Sequence, residues 1–119
     1  MRPVPCTIPA ASGALITGSG YIVYWSARDT TVAGGSVFQL IDGNDANGQT
    51  LVDVSTSVGE STSEYIGKRL VFYTKSLYYN LASGAIEGSV TVHACDSAEE
   101  YQKMIAELSL LKSFLSVGA

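Results

Sequence analysis

The sequence predicts a mainly β fold: a small antiparallel β-sandwich or barrel, jelly-roll-like, followed by one C-terminal amphipathic α-helix. Three observations point there. Short runs rich in Val, Ile, Tyr, Phe and Thr recur about every dozen residues, separated by Gly, Ser, Asn and Asp. No segment before Cys95 carries a helical period, which excludes βαβ crossovers and nucleotide-binding α/β folds. After Cys95 the pattern changes to apolar residues at three- and four-residue steps. With 119 residues, 46% of them hydrophobic and 15% charged, the chain can bury one core and is too short for two.

Residues 1–13 hold all three prolines, Pro3, Pro5 and Pro9, and show no periodicity, so they are expected to form an extended N-terminal arm, a linker or a contact strap. The sandwich is expected over 14–95. Tyr21-Ile22-Val23-Tyr24-Trp25 is β-branched and aromatic and reads as a central strand with Trp25 as its core anchor. Residues 28–35 are polar, glycine-ended and connecting. Ser36–Asp42 is a strand with Phe38 and Leu40 on one face and Val37, Gln39 and Ile41 on the other. Asp42-Gly43-Asn44-Asp45-Ala46-Asn47-Gly48 gathers residues that tolerate left-handed backbone, the long tip of a hairpin. Its return strand, 50–55, alternates Val52 and Val54 with polar neighbours. A Ser-rich stretch over 57–67 is expected as a loop or weak edge strand, 69–74 as a buried strand and 77–81 as a shorter one. The run 88–94 alternates strictly, Val90, Val92 and Ala94 inward and Thr91 and His93 outward.

Residues 96–119 form the helical segment. Ser97 and Glu100 match the S-x-x-E capping box, and Glu99 and Glu100 suit the positive end of the helix dipole. Tyr101, Met104, Ile105, Leu108, Leu111 and Leu115 fall in one stripe, expected as a partner or oligomer interface or as cover for the same protomer's sheet. A helix from about 97 to 115 is near 30 Å long at about 1.5 Å per residue, hard to satisfy on one small sheet.

Net charge −4 and pI near 4.7 give no electrostatic footprint for nucleic acid or an anionic bilayer. No apolar run approaches the roughly 20 residues of a membrane span, and the prolines interrupt any signal-peptide core. Cys6 and Cys95 could pair, closing a loop worth about 4.5 kcal/mol, or stand as two reduced thiols. His93 and Cys95 share a strand face but fall short of a zinc ligand set. The loop from Asp42 gathers oxygen ligands, yet Ala46, Asn47 and Asp53 depart from the calcium-loop pattern. No metal and no cofactor are expected. Serine is abundant, but no G-x-S-x-G elbow and no acid, base and nucleophile set is recognisable, so no enzyme is expected. Tyr65, Tyr73, Tyr78 and Tyr79 could floor a sugar site, the alternative being tyrosines half-buried in a sheet.

Tyr21-Ile22-Val23-Tyr24-Trp25-Ser26, followed by Val37-Phe38-Gln39-Leu40-Ile41-Asp42-Gly43-Asn44-Asp45-Ala46-Asn47-Gly48-Gln49-Thr50-Leu51-Val52, resembles small all-β structural proteins of tailed bacteriophages, head decoration (cement) and fibre-base proteins. In these a strand ending in an Asp-Gly tip with a following Gly and Thr-Leu recurs. The resemblance covers roughly 14 to 94, and the helix lies outside it. It implies a non-enzymatic virion protein, assembled in the host cytoplasm, that binds the major capsid protein or another virion protein, often as a homotrimer. The rival reading is a carbohydrate- or receptor-binding β-module of a tail fibre or cell surface.

Overall fold

The computed structural model describes residues 2–117, and side chains through 110 apart from Lys68. Nine strands are found among the described residues: β1 (Arg2–Thr7), β2 (Gly13–Thr17), β3 (Ser19–Asp29), β4 (Ser36–Asp42), β5 (Gln49–Thr56), β6 (Ser61–Tyr65), β7 (Val71–Tyr73), β8 (Ser76–Ser83) and β9 (Ile86–Cys95). One helix, α1 (Ala98–Val117), follows. The first sheet runs β1-β9-β3-β6, with β7 also on β3, and the second runs β2-β8-β4-β5. Every pairing is antiparallel. β6 and β7 pair with successive stretches of β3, so they act as one strand interrupted by a 3₁₀ turn at Gly67–Arg69 and by Leu70 at φ 53°. Counted that way, the chain follows the jelly-roll path, in which the first strand lies beside the last and, apart from the β4–β5 hairpin, each successive strand changes sheet. Both sheets keep free edges, so the molecule is a sandwich and not a closed barrel.

The core lies between the sheets, because alternation turns every second residue inward. β3 contributes Ile22, Trp25 and Ala27, β4 Phe38 and Leu40, β8 Leu77 and Tyr79, and β9 Val90, Val92 and Ala94. A register shift between Ile22 and Tyr24 puts both Ile22 and Trp25 inward despite their odd spacing. Phe38 stands at the centre, edge-on to Trp25 at 5.8 Å and tilted on Tyr79 at 5.7 Å. Thr91 and His93 face outward, as the alternation predicts. Ile41 is also buried, past a register shift in β4, where a Cβ added at Gly48 would crowd its side chain.

Residues 1–13 are not a detached arm. Residues 2–7 are β1, in register from Arg2 opposite Ala94 to Thr7 opposite Ser89, and Val4, Cys6 and Ile8 turn into the core. The Ile8 amide donates to Gly88 O at 2.9 Å, so even-numbered amides point at β9 and odd-numbered ones at the open edge. Pro3 and Pro5 occupy odd positions, where no ladder hydrogen bond is lost. The prolines that suggest a loose arm are therefore compatible with an edge strand. The sandwich begins at β1, not at 14. The strand expected over 69–74 is also shorter, confined to Val71–Tyr73 by the turn before it.

Candidate functional site

The helix docks on the outer face of the first sheet, at the end where β3 begins and β9 finishes. Its start is capped as the sequence predicts, the Glu100 amide donating to Ser97 Oγ at 3.0 Å. The Glu100 carboxylate reaches back one residue further than the capping box requires and accepts from the Asp96 amide at 3.2 Å. Arg2 Nε donates to Asp96 Oδ1 at 3.0 Å, so β1 and the helix start are tied together.

Of the six stripe residues, Tyr101 and Met104 are buried against Tyr21, and Ile105 and Leu108 pack partly buried on the same cluster with Val23, Phe72 and Cys95. Leu111 and Leu115 lie outside the described side chains. Phe72 stands edge-on between Tyr21 and Tyr101, with ring centroids 6.2 Å from each. The first half of the stripe thus covers this protomer's own sheet, at about 1.5–3 kcal/mol for each fully buried large side chain. Beyond Leu108 the helix continues for more than two turns, and Leu110, off the packed face, is 69% exposed.

The polar residues singled out from the sequence have internal partners. Tyr21 OH lies 2.7 Å from His93 Nδ1. Cys95 Sγ lies 3.5 Å from Met104 Sδ. Cys6 and Cys95 are both free thiols; Cys6 faces the core and Cys95 the helix, on opposite faces of the sheet, and burial raises both thiols. Asp42 Oδ1 accepts from the amides of Thr74 and Lys75 at 2.9 and 3.1 Å, and Oδ2 from Thr74 Oγ1 at 2.9 Å. Asp45 accepts from the Asn47 amide at 2.9 Å, an Asx turn at the hairpin tip. Among the described residues, no group of three or more His, Cys, Asp or Glu is placed to hold a metal.

The four tyrosines do not share a floor. Tyr73 and Tyr79 are in the core, their hydroxyls without a hydrogen-bond partner among the described residues. Burial raises the Tyr73 phenol and pushes Tyr79 up to about 12. Tyr78 is half-buried on the second sheet, and Tyr65, on β6, is 66% exposed.

Two features have no counterpart in the sequence reading. Buried Asp29, at the end of β3, receives Ser36 Oγ on Oδ1, and on Oδ2 Thr31 Oγ1 at 2.7 Å and the Gly59 amide at 2.9 Å. Ser36 Oγ in turn accepts from the Ala85 amide at 3.0 Å. One carboxylate therefore gathers the β3–β4, β5–β6 and β8–β9 loops, and the hydrogen bonds from Ser36 and Thr31 hold it below the usual carboxylate range. An Asp two residues before a Thr is a local turn signal, but its bonds to Ser36 and Gly59 are tertiary. The second feature is a groove of about 560 Å³ on the outer face of the first sheet, beyond the helix, lined from β3, β6 and β9.

No protein-family model, curated protein or solved structure matches this chain. Its chemistry is carried by its own residues. The docked helix offers apolar contact area, the loop end a set of loops joined through Asp29, and the groove hydroxyls with one ion pair.

Proposed function

We propose that this protein is a non-enzymatic virion structural protein, a capsid decoration or cement protein that stabilises a phage head through contacts with the major capsid or another virion protein, acting as a homotrimer. The observation that carries this reading is the helix, anchored through Tyr101, Met104, Ile105 and Leu108 while its 20 residues run on past Leu110. An exposed leucine on the free face of a docked helix is the form of a contact element, since apolar area left in water is recovered only against a neighbour. The resemblance over 14 to 94 supplies the virion context. The jelly-roll path agrees with it, although that path also serves lectins and cupins and does not select a function alone.

Sedimentation of the protein with assembled capsids, with the oligomeric mass measured in parallel, tests the reading. The wild-type protein is expected to be trimeric and to co-sediment. Leu110→Asp is expected to lower both the mass and the binding while leaving the melting temperature in place, because Leu110 lies off the packed stripe. A wild-type protein that stays monomeric at high concentration and remains in the supernatant overturns the proposal.

A further inference from the structure

The outer face of the first sheet is divided. Its helix end is apolar and covered. Its other end is open, and there Tyr24, Ser26 and Arg28 of β3 lie between Ser61 and Ser63 of β6 and Glu87 of β9 around the groove of about 560 Å³. The register makes the set continuous: Tyr24 is opposite Tyr65, Ser26 opposite Ser63, and Arg28 opposite both Ser61 and Glu87. The volume falls in the range of small-ligand sites, and hydroxyl groups predominate in the lining, with Arg28 and Glu87 as its charged members.

Arg28 Nη1 donates to Glu87 Oε1 at 3.1 Å, with both side chains about 60% exposed. An ion pair so exposed adds little to stability, leaving its remaining donors and acceptors facing the groove's solvent. Its charges cancel, so the site has no field for a polyanion or a free cation. What remains is a fork of guanidinium donors, a carboxylate acceptor, three serine hydroxyls and the Tyr24 ring, with exposed Tyr65 beside it. That combination matches a ligand with many neutral hydroxyls and apolar C–H faces, the hydroxyls meeting the ion pair and serines and the C–H faces resting on the phenol rings. Gly88, opposite Ala27, lets β9 approach β3 closely beneath the groove, since a Cβ there would overlap the Ser26 carbonyl.

From this juxtaposition we infer that the groove over β3, β6 and β9 is a binding site for a neutral saccharide, independent of the contacts proposed for the helix. A capsid-bound protein with such a site would present it to cell-surface or environmental glycans.

The test uses the intact protein on an array of neutral oligosaccharides, followed by calorimetric titration with the strongest glucan, galactan or N-acetylhexosamine oligomer found. Saturable binding is expected, weakened about tenfold or more by Arg28→Ala, Glu87→Gln and Tyr65→Ala. All three positions are exposed, so the melting temperature is expected to hold, and Asp53→Asn on the second sheet is expected to bind as wild type. An array signal no stronger than that of Arg28→Ala, or binding that survives all three substitutions, overturns the inference. Loss of capsid binding in Leu110→Asp with saccharide binding intact separates this site from the helix proposal.

Discussion

At the scale of single residues, Asp29 shows how one side chain can order a whole end of a sandwich. Its two oxygens take three donors from two loops, and Ser36 extends the network to a third. Gly84, at φ 84°, sits so close to Ser36 that a Cβ would overlap its hydroxyl, so the network also fixes which residue can occupy that turn. The hydrogen bonds favour the ionised carboxylate, placing its folded pKa below the unfolded value of about 3.9. The unfolded state therefore binds the proton first on acidification. Stability from this group is complete above the unfolded value and declines as pH falls through that value toward the depressed folded one. Asp29→Asn is expected to be less stable than wild type at neutral pH, with the difference shrinking as pH falls below about 4. Urea midpoints of both proteins across an acid series check this, and a difference independent of pH would remove the carboxylate from the account.

At the scale of elements, β1 is the strand on which local and tertiary signals diverge. Val4, Cys6 and Ile8 contribute core contacts, each worth up to about 1.5–3 kcal/mol, against a total stability of about 5–15 kcal/mol for a domain. Deleting residues 2–9 is expected to unfold or aggregate the protein, because it also strips the edge from Val90 and Val92. Circular dichroism and a melting curve of the truncated chain decide this, and a folded truncated sandwich would return β1 to the role of an arm. Ser36–Asp42 and the final strand are legible from sequence because one face is dry and the other wet, which imposes a period of two. β1 is not, because prolines that read as breakers are tolerated where amides face an open edge. β6 is faint for a related reason: it is an edge strand of mostly exposed Ser, Thr and Glu and carries almost no apolar period. The capping serine is legible because its partner Glu100 lies three residues on, and the first four stripe residues because they recur at helical spacing, although the sheet residues they cover, Tyr21, Val23 and Phe72, are remote in sequence. The groove is not, since Arg28, Ser61 and Glu87 meet only through strand pairings that span up to 59 residues.

At the scale of the whole molecule, the described ion pairs are surface features, Arg2 with Asp96, Arg28 with Glu87 and Arg69 with Glu64, each in the range of about 0–1 kcal/mol. Cohesion comes instead from the core between the sheets and from the smaller Tyr21 cluster under the helix. Among the described side chains these two layers take in helix residues as far as Leu108, and the backbone stays helical to Val117. If the helix beyond Leu110 is the contact element proposed above, that segment serves assembly and not folding. On that reading, removing residues 111–119 is expected to leave the melting temperature and the strand-rich circular dichroism of the sandwich unchanged. The same truncation is expected to abolish trimer formation and capsid co-sedimentation, since it takes away Leu111, Leu115 and the apolar residues around them. A truncated chain that melts well below wild type would show that the distal helix belongs to the protomer's own core; one that still assembles would move the contact surface to another part of the sandwich.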